Sequence, residues 1–305
     1  MDDWFATRPL DDGVFLIAEP FHVNSFLIEG TAERVHLDTG LGVADIRAAG
    51  DALSHRPPSV ANTHHHFDHV GGNHLFDRIA IHELGVDLLG KDVDERWLDE
   101  YRAWVRRMYE AWPVYRQADE DFFAMTDDAS SLRPWPEGFD LDGWRIEGSV
   151  ATRALRDGDV LDLGGRRLRT IHTPGHTVDS VCFLDEQRGV LFCGDTVNSG
   201  PILANDDTAD LQDFATSTRR LADEVRSAVR VLYMAHGARF AAEPAYLQEV
   251  ADGFESVADG SVVPQRVLDA FSGDARVARF PRFSIVLPGE VDQGVVGRLD
   301  GRSGS

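Results

Sequence analysis

Metal-ligand chemistry is written most densely into the run THHHFDHVGG, where His64, His66, Asp68 and His69 fall within six residues. Imidazole nitrogens and carboxylate oxygens at this spacing suit zinc, iron or manganese. The preceding run PSVAN is short and partly β-branched, and Gly71-Gly72 follows, so the pattern predicts a strand running into a loop and a helix. In extended backbone alternate side chains share a face. His64, His66 and Asp68 can therefore point to one side while His69 enters from the next segment and His65 faces away. The run lies far from either end of the sequence and interleaves Phe67 and Asp68 with the histidines, unlike a purification tag.

Four donors on one loop do not complete two metal sites, and three further segments supply more. IHTPGHT contributes His176 after a Pro-Gly turn, GVLFCGDT contributes Asp195 after an apolar run, and RVLYMAHG contributes His236 after another. Each places a ligand at the end of a strand-like segment beside a small residue, Gly175, Gly194 or Gly237, and strand ends are where ligands converge in layered α/β folds. Two divalent cations roughly 3.5 to 4 Å apart can share a water, lower its pKa towards 7 and polarise an attacked carbonyl. Such chemistry requires no serine or cysteine nucleophile.

The segments THHHFDHVGG, HTPGHT, LFCGDT and AHG, in that order, resemble the metallo-β-lactamase superfamily, as does VNSFLIEG followed by VHLDTGLG near the start. The resemblance runs from about Val14 to about Leu247. It implies that His64, His66 and His176 hold one metal, that Asp68, His69 and His236 hold the second, and that Asp195 bridges them. It also implies that Asp68 orients the attacking hydroxide and that Asp38, in HLDTG, braces the ligand loops. Two zinc ions per chain are the expectation, with iron as the alternative. The flavodiiron pattern has Glu where this chain has His66, and the best-known true β-lactamases have Cys where it has Asp195, so neither branch is indicated. The implied fold is α/β, a four-layer αββα sandwich.

Composition narrows the partners. Thirty basic residues, of which only Lys91 is lysine, face 52 acidic ones, for a net charge of −22. That balance disfavours nucleic acid and anionic membrane surfaces and points to a small-molecule substrate. Abundant aspartate with almost no lysine also resembles proteins of salt-accumulating cytoplasms. The opening MDDWFATRPLDD has no apolar core of signal-peptide type, and no later run is apolar enough to span a bilayer, so a cytoplasmic protein is expected. Cys182 and Cys193, in adjacent strand-like runs, are expected reduced and buried.

Two similar halves frame the donors. Strands are expected near 14–18, 22–28 and 33–37, with a helix near 43–54, in the first. The second is expected to hold strands near 152–156, 159–163, 166–172, 178–184, 189–193 and 230–235, with helices near 209–226 and 244–257. Residues 1–259 are expected to form the metal-binding domain. Residues 260–305 are read as an extension that adds a helix and an edge strand and ends in a disordered tail.

Between the halves, an insertion at about 86–150 contains five of the six tryptophans. Trp97, Tyr101, Trp104, Met108 and Trp112 recur at helical spacing, a stripe expected to dock the helix on the core. The following segment, with Trp135 and Trp144, reads as a Pro- and Gly-punctuated flap. Trp104, Trp112 and Trp135, together with Asn198 just past Asp195, are candidate substrate contacts. The whole resembles the thioesterase and glyoxalase II side of the superfamily. Few basic residues beyond Arg102, Arg106 and Arg107 are available to grip glutathione, so a hydrophobic acyl thioester such as an acyl-CoA is the favoured substrate. Lactone hydrolysis on the same site and mono-iron persulfide oxidation are the alternatives.

Overall fold

The computed structural model describes residues 4–237, 239–269 and 273–289. Strands β1 (Ala6–Asp11), β2 (Val14–Glu19), β3 (Val23–Glu29) and β4 (Arg34–Leu37) form an antiparallel meander. Helix α1 (Ile46–Leu53) leads to β5 (Pro58–Ala61), which runs into the short α2 (Phe67–Val70) through the histidine loop. β6 (Ile79–His82), α3 (Val86–Leu89), the long α4 (Glu95–Ala118) and β7 (Arg153–Leu155) follow. The first sheet has seven strands in the order β1 to β7. β7 was expected with the second half; instead it pairs in parallel with β6, Ala80 opposite Arg153, and closes the first sheet. β1 and β6 carry no alternating pattern strong enough to be recognised in the sequence.

The second sheet contains β8 (Val160–Asp162), β9 (Arg167–His172), β10 (Val181–Asp185), β11 (Val190–Phe192), β13 (Val231–Tyr233) and β14 (Ala241–Ala242). Its spatial order is β14-β13-β11-β10-β9-β8. Alternation of side chains across each strand builds three apolar layers. Leu16, Phe26 and Leu37 of the first sheet meet Phe183, Phe192 and Tyr233 of the second in the middle layer. Ile17, Leu27 and Val60 face outward to α1 and α4. Cys182, Leu184 and Leu232 face the other way, towards α5 (Leu211–Arg220) and α6 (Ala245–Ala258). Two sheets between outer helices are the αββα sandwich. Both cysteines are buried and free, with Cys182 donating from Sγ to the carbonyl of Cys193 at 3.4 Å.

After α6 the chain departs from expectation. No helix forms among the described residues of 265–289; β15 (Gln265–Asp269), β16 (Gly273–Arg279) and β17 (Phe283–Pro288) make an antiparallel meander. Alternating Val277, Ile285 and Leu287 favour strand over helix, and β17 pairs in parallel with β12 (Gly200–Leu203), which follows the Asp195 loop. Ala278, Phe283, Ile285 and Leu287 pack on the outer layer beside α6. The tail expected to be disordered lies outside the described residues.

α4 also docks differently from the aromatic stripe. Its buried residues are Leu98, Tyr101, Arg102 and Val105, so the face on the core is turned by one position, leaving Trp97, Trp104 and Trp112 half-buried. Arg102 is held by Glu95, Asp99 and the carbonyls of Leu141 and Trp144, and Arg106 by Asp142. The segment read as a flap is anchored by buried Ala129, Leu132 and Trp144, the last donating from Nε1 to the Leu41 carbonyl at 3.1 Å, with much of the rest exposed. Among the described residues no helix is long and apolar enough to cross a membrane.

Candidate metal centre

All seven predicted donors converge at one edge of the two sheets. His64, His66 and His176 form one group, Asp68, His69 and His236 another, and His64, His69 and Asp195 a third that links them, the donor atoms in each lying within 4.8 Å of one another. Asp195 faces both sides: its Oδ1 lies 3.3 Å from His236 Nε2 and 3.5 Å from His69 Nε2, while its Oδ2 lies 3.5 Å from His176 Nε2. Asp68 Oδ2 sits 3.3 Å from His236 Nε2. Gly194 makes this approach possible, because it adopts φ +50° and a Cβ there would fall 2.7 Å from Cβ of Thr63.

Four of the five imidazoles are hydrogen-bonded through their outer nitrogens. His69 Nδ1 donates to Asp38 Oδ2 at 2.8 Å, His176 Nδ1 to the Leu203 carbonyl at 2.7 Å, and His236 Nδ1 to the His22 carbonyl at 2.9 Å. His64 Nδ1 donates to Thr63 Oγ1 at 3.1 Å, which in turn donates to Asp38 Oδ2 at 2.7 Å. His66 Nε2 faces Asp206 Oδ2 at 3.3 Å, which leaves its Nδ1 turned inward, 3.0 Å from His176 Nε2. With the outer nitrogens protonated, the inner ones present lone pairs to one another.

Such a convergence needs a cation. His64 Nε2 and Asp195 Oδ1 are buried with no hydrogen-bond partner, an arrangement that is unfavourable for a protein alone and that a bound metal ion satisfies. The donor set of five imidazoles and two carboxylates fits two zinc-type ions. Burial pushes the His64 imidazole well below its ordinary range, favouring the neutral, ligating form. Burial opposes ionisation of Asp195, yet positive charge on His236, His69 and His176, the role a bound cation takes over, outweighs it and holds the carboxyl well below its usual range.

Residues outside the motifs complete the surroundings. His65 turns away from the donors and meets Asp179 at 2.8 Å. Asp38 also accepts from the Thr63 amide at 2.8 Å, and its φ of +63° is one that Asp tolerates better than most residues. Asp206, Thr63 and the Leu203 carbonyl were not anticipated; only the short DD pair at 206–207 after a strand could have drawn attention to the first. His22 was passed over as well. Its Nδ1 accepts from the Tyr101 hydroxyl at 2.5 Å, and burial lowers its pKa to about 3. His172, four residues before His176, stacks on His82 with centroids 3.9 Å apart and takes no part in the centre.

The centre forms the floor of a cavity of about 860 Å³. Phe21, Trp97, Tyr101 and Trp104 supply aromatic wall, and Asn198 lies on the wall beside the donors. Asn198 also accepts from the His236 amide at 3.0 Å, so it fixes that loop. Phe21, at φ +74°, stacks on Trp104 with centroids 6.1 Å apart. Of the other two candidate contacts, Trp112 stands behind Phe21 at 5.6 Å, and Trp135 is stacked between Trp4 at 5.0 Å and Tyr109 at 5.4 Å. Neither Trp112 nor Trp135 reaches the wall, because each is taken up by ring packing within the insertion.

The family model of the metallo-beta-lactamase superfamily matches residues 18–236, which contain every donor described above. The chain belongs to that superfamily. It is a metallo-hydrolase of the metallo-β-lactamase fold. Acyl-coenzyme A thioesterase MBLAC2 of Bos taurus is 30% identical over 261 residues, covering 79% of this chain and 84% of that protein. The human protein of the same name is 29% identical over the same length. A metallo-beta-lactamase from Pontibacter korlensis shares the fold with a TM-score of 0.56 at 16% identity, covering 82% of this chain and 99% of its own. A metallo-beta-lactamase family protein from Thermus thermophilus superposes with a TM-score of 0.53 at 24% identity, covering 82% of each chain.

Proposed function

We propose that this superfamily member is a binuclear zinc hydrolase that cleaves hydrophobic acyl thioesters. One observation carries the reading: five imidazoles, four hydrogen-bonded through their outer nitrogens and His66 facing Asp206, aim their inner nitrogens with Asp68 and Asp195 into one space at the floor of an aromatic-walled cavity. His64, His66 and His176 would hold one ion and Asp68, His69 and His236 the other, with Asp195 available to both. When bound, two such ions lower the pKa of a shared water towards 7 and polarise a carbonyl placed beside it.

The chain's own residues do the rest. The acyl chain lies along Phe21, Trp97 and Trp104, which exclude water from its length and bring the carbonyl to the floor. Asp68 is the more accessible carboxylate of the centre, its side chain 21% exposed against 8% for Asp195. It accepts a hydrogen bond from the attacking water and fixes its direction. A thiol leaves readily as thiolate, its ordinary pKa near 8.5, and needs no proton at the moment of departure. That suits a centre whose imidazoles would be committed to metal through their inner nitrogens and so would have no proton to give. Similarity to acyl-coenzyme A thioesterases over 79% of the chain supports the same substrate bond.

Metal analysis of the untagged protein, followed by a matched panel of acyl thioesters, esters and lactones, tests the reading. About two zinc ions per chain and a preference for thioesters are expected. One iron per chain, or turnover of lactones with thioesters inert, would overturn it.

A further inference from the structure

The wall contributed by the insertion is anionic. Asp92, Asp94, Glu100 and Glu147 line the cavity and are exposed, and none of them forms an ion pair among the described residues. The Asp92 carboxylate accepts from the Gly148 amide at 2.9 Å, and Asp94 caps α4 by accepting from the Arg96 amide at 2.9 Å. The N-terminus of this 24-residue helix, an anion attractor if left open, is thus already occupied by a carboxylate. Against these four stands Lys91, the only lysine of the chain. Every other basic residue is an arginine, the side chain best shaped for phosphate, yet among the described residues no arginine lines the cavity.

We infer that the thiol half of the substrate carries no phosphate, and that the enzyme takes hydrophobic acyl thioesters of small uncharged thiols in preference to acyl-CoA. The inference rests on the thioester reading above. Hydrolysis forms a C–O bond, breaks the C–S bond and releases a carboxylate and a thiol. With the acyl chain on the half-buried rings of Phe21, Trp97 and Trp104, the thiol portion is the half left to extend past the exposed carboxylates, where a net charge of three carboxylates in excess of Lys91 faces it. Three such charges about 10 Å from roughly four phosphate charges, at about 0.15 M salt, weaken productive binding by about tenfold.

Octanoyl-CoA and octanoyl-N-acetylcysteamine present the same acyl group and the same scissile bond with and without phosphates. For the metal-loaded, full-length enzyme, kcat/KM for the uncharged thioester is expected to exceed that for octanoyl-CoA by about tenfold at ~0.15 M KCl. The ratio is expected to shrink towards one as KCl rises, because screening acts only on the charged substrate. Using a ratio measured on one enzyme sample removes any effect of salt on the fold. The double variant Glu100→Gln, Glu147→Gln is expected to raise kcat/KM for octanoyl-CoA severalfold and move the ratio in the same direction. Equal or better turnover of octanoyl-CoA at low salt, or a ratio indifferent to salt, would overturn the inference while leaving the thioesterase reading intact. Turnover of neither substrate would remove the thioesterase reading, and this inference with it.

Discussion

His176 Nδ1 donates a 2.7 Å hydrogen bond to the carbonyl of Leu203, the last residue of β12, and Leu203 is itself in register with Val286 of β17. A strand near the end of the described chain therefore supports the strand that orients a metal ligand 27 positions before Leu203. Asp206, three residues beyond Leu203, faces His66 from the same loop.

Loosening that C-terminal sheet should therefore loosen one metal before the other. Ile285 is fully buried in the outer layer, and Ile285→Ala is expected to destabilise the protein by about 2–5 kcal/mol. Below the unfolding transition, chelator titration of the variant should release one zinc per chain at lower chelator concentration than the wild type. Release of both ions together, at wild-type concentrations, would separate the C-terminal sheet from the centre.

Asp38 braces the other side of the site. It accepts from His69 Nδ1, from the Thr63 amide and from Thr63 Oγ1, so one carboxylate aligns two ligand loops. Asp38→Asn keeps the φ of +63° accessible but turns one acceptor oxygen into a donor. Zinc affinity, measured by competition with a chromophoric chelator, is expected to fall by about 10- to 100-fold. An unchanged affinity would reduce Asp38 to a turn residue.

How far the sequence reveals this site follows from what each residue interacts with. The seven donors are legible because His and Asp crowded at strand ends have no packing explanation, and their order along the chain is distinctive. Asp206 and the Leu203 carbonyl are not, since a surface-type DD pair and a backbone oxygen carry no sequence signal of their own. The stripe on α4 is legible as helix, but its phase is not: the aromatic residues at helical spacing draw the eye to Trp97 and Trp104, whereas the face on the core is Leu98, Tyr101, Arg102 and Val105. The sequence of β15 to β17 suggests a helix in part, because the pairing of Phe283 with Gly200, across more than 80 residues, leaves no local pattern.

Asp195 has one oxygen towards His69 and His236 and the other towards His176, so a change at one of them should disconnect the two halves of the centre. Asp195→Asn preserves shape but replaces one anionic oxygen with an amide nitrogen that has no lone pair to offer. Asp68→Asn does the same on the open side. Each is expected to lower kcat by orders of magnitude with near-wild-type circular dichroism. Turnover close to wild type in either variant would refute the two-metal assignment.

Phe21 links the acyl wall to the centre. Its strained φ of +74° presents the ring to Trp104, and the next residue, His22, supplies the carbonyl that fixes His236. Trp104→Ala removes wall together with the ring on which Phe21 stacks, but leaves the His22 carbonyl and its bond to His236 in place. For a long acyl thioester kcat/KM is expected to fall by about tenfold, the effect of losing roughly 50 Å² of apolar contact, while a two-carbon acyl group is nearly unaffected. Equal losses for both chain lengths would place the acyl chain elsewhere.

Glu19 is not among the predicted metal donors, yet it gives the fold a pH dependence of its own, to which the Asp68 carboxylate adds. Its carboxylate is buried, accepting from Trp4 Nε1 at 2.8 Å and the Leu41 amide at 2.6 Å, and burial raises its pKa from 4.5 to about 7. A carboxyl with a raised folded-state pKa binds its proton more tightly in the native state. Its contribution to stability is therefore complete below pH 4.5 and is lost as pH rises through about 7. The shift corresponds to about 3 kcal/mol across that window. Glu19→Gln cannot ionise, although its amide nitrogen gives up one of the two accepted hydrogen bonds, so it should be less stable than wild type in acid and recover relative to it as pH rises. Denaturant unfolding of both proteins from about pH 4.5 to 8, with the metal ligands unchanged between them, isolates the contribution of Glu19 in the difference. A difference that stays constant across the range would show that Glu19 remains in one protonation state and that its two donors outweigh its burial.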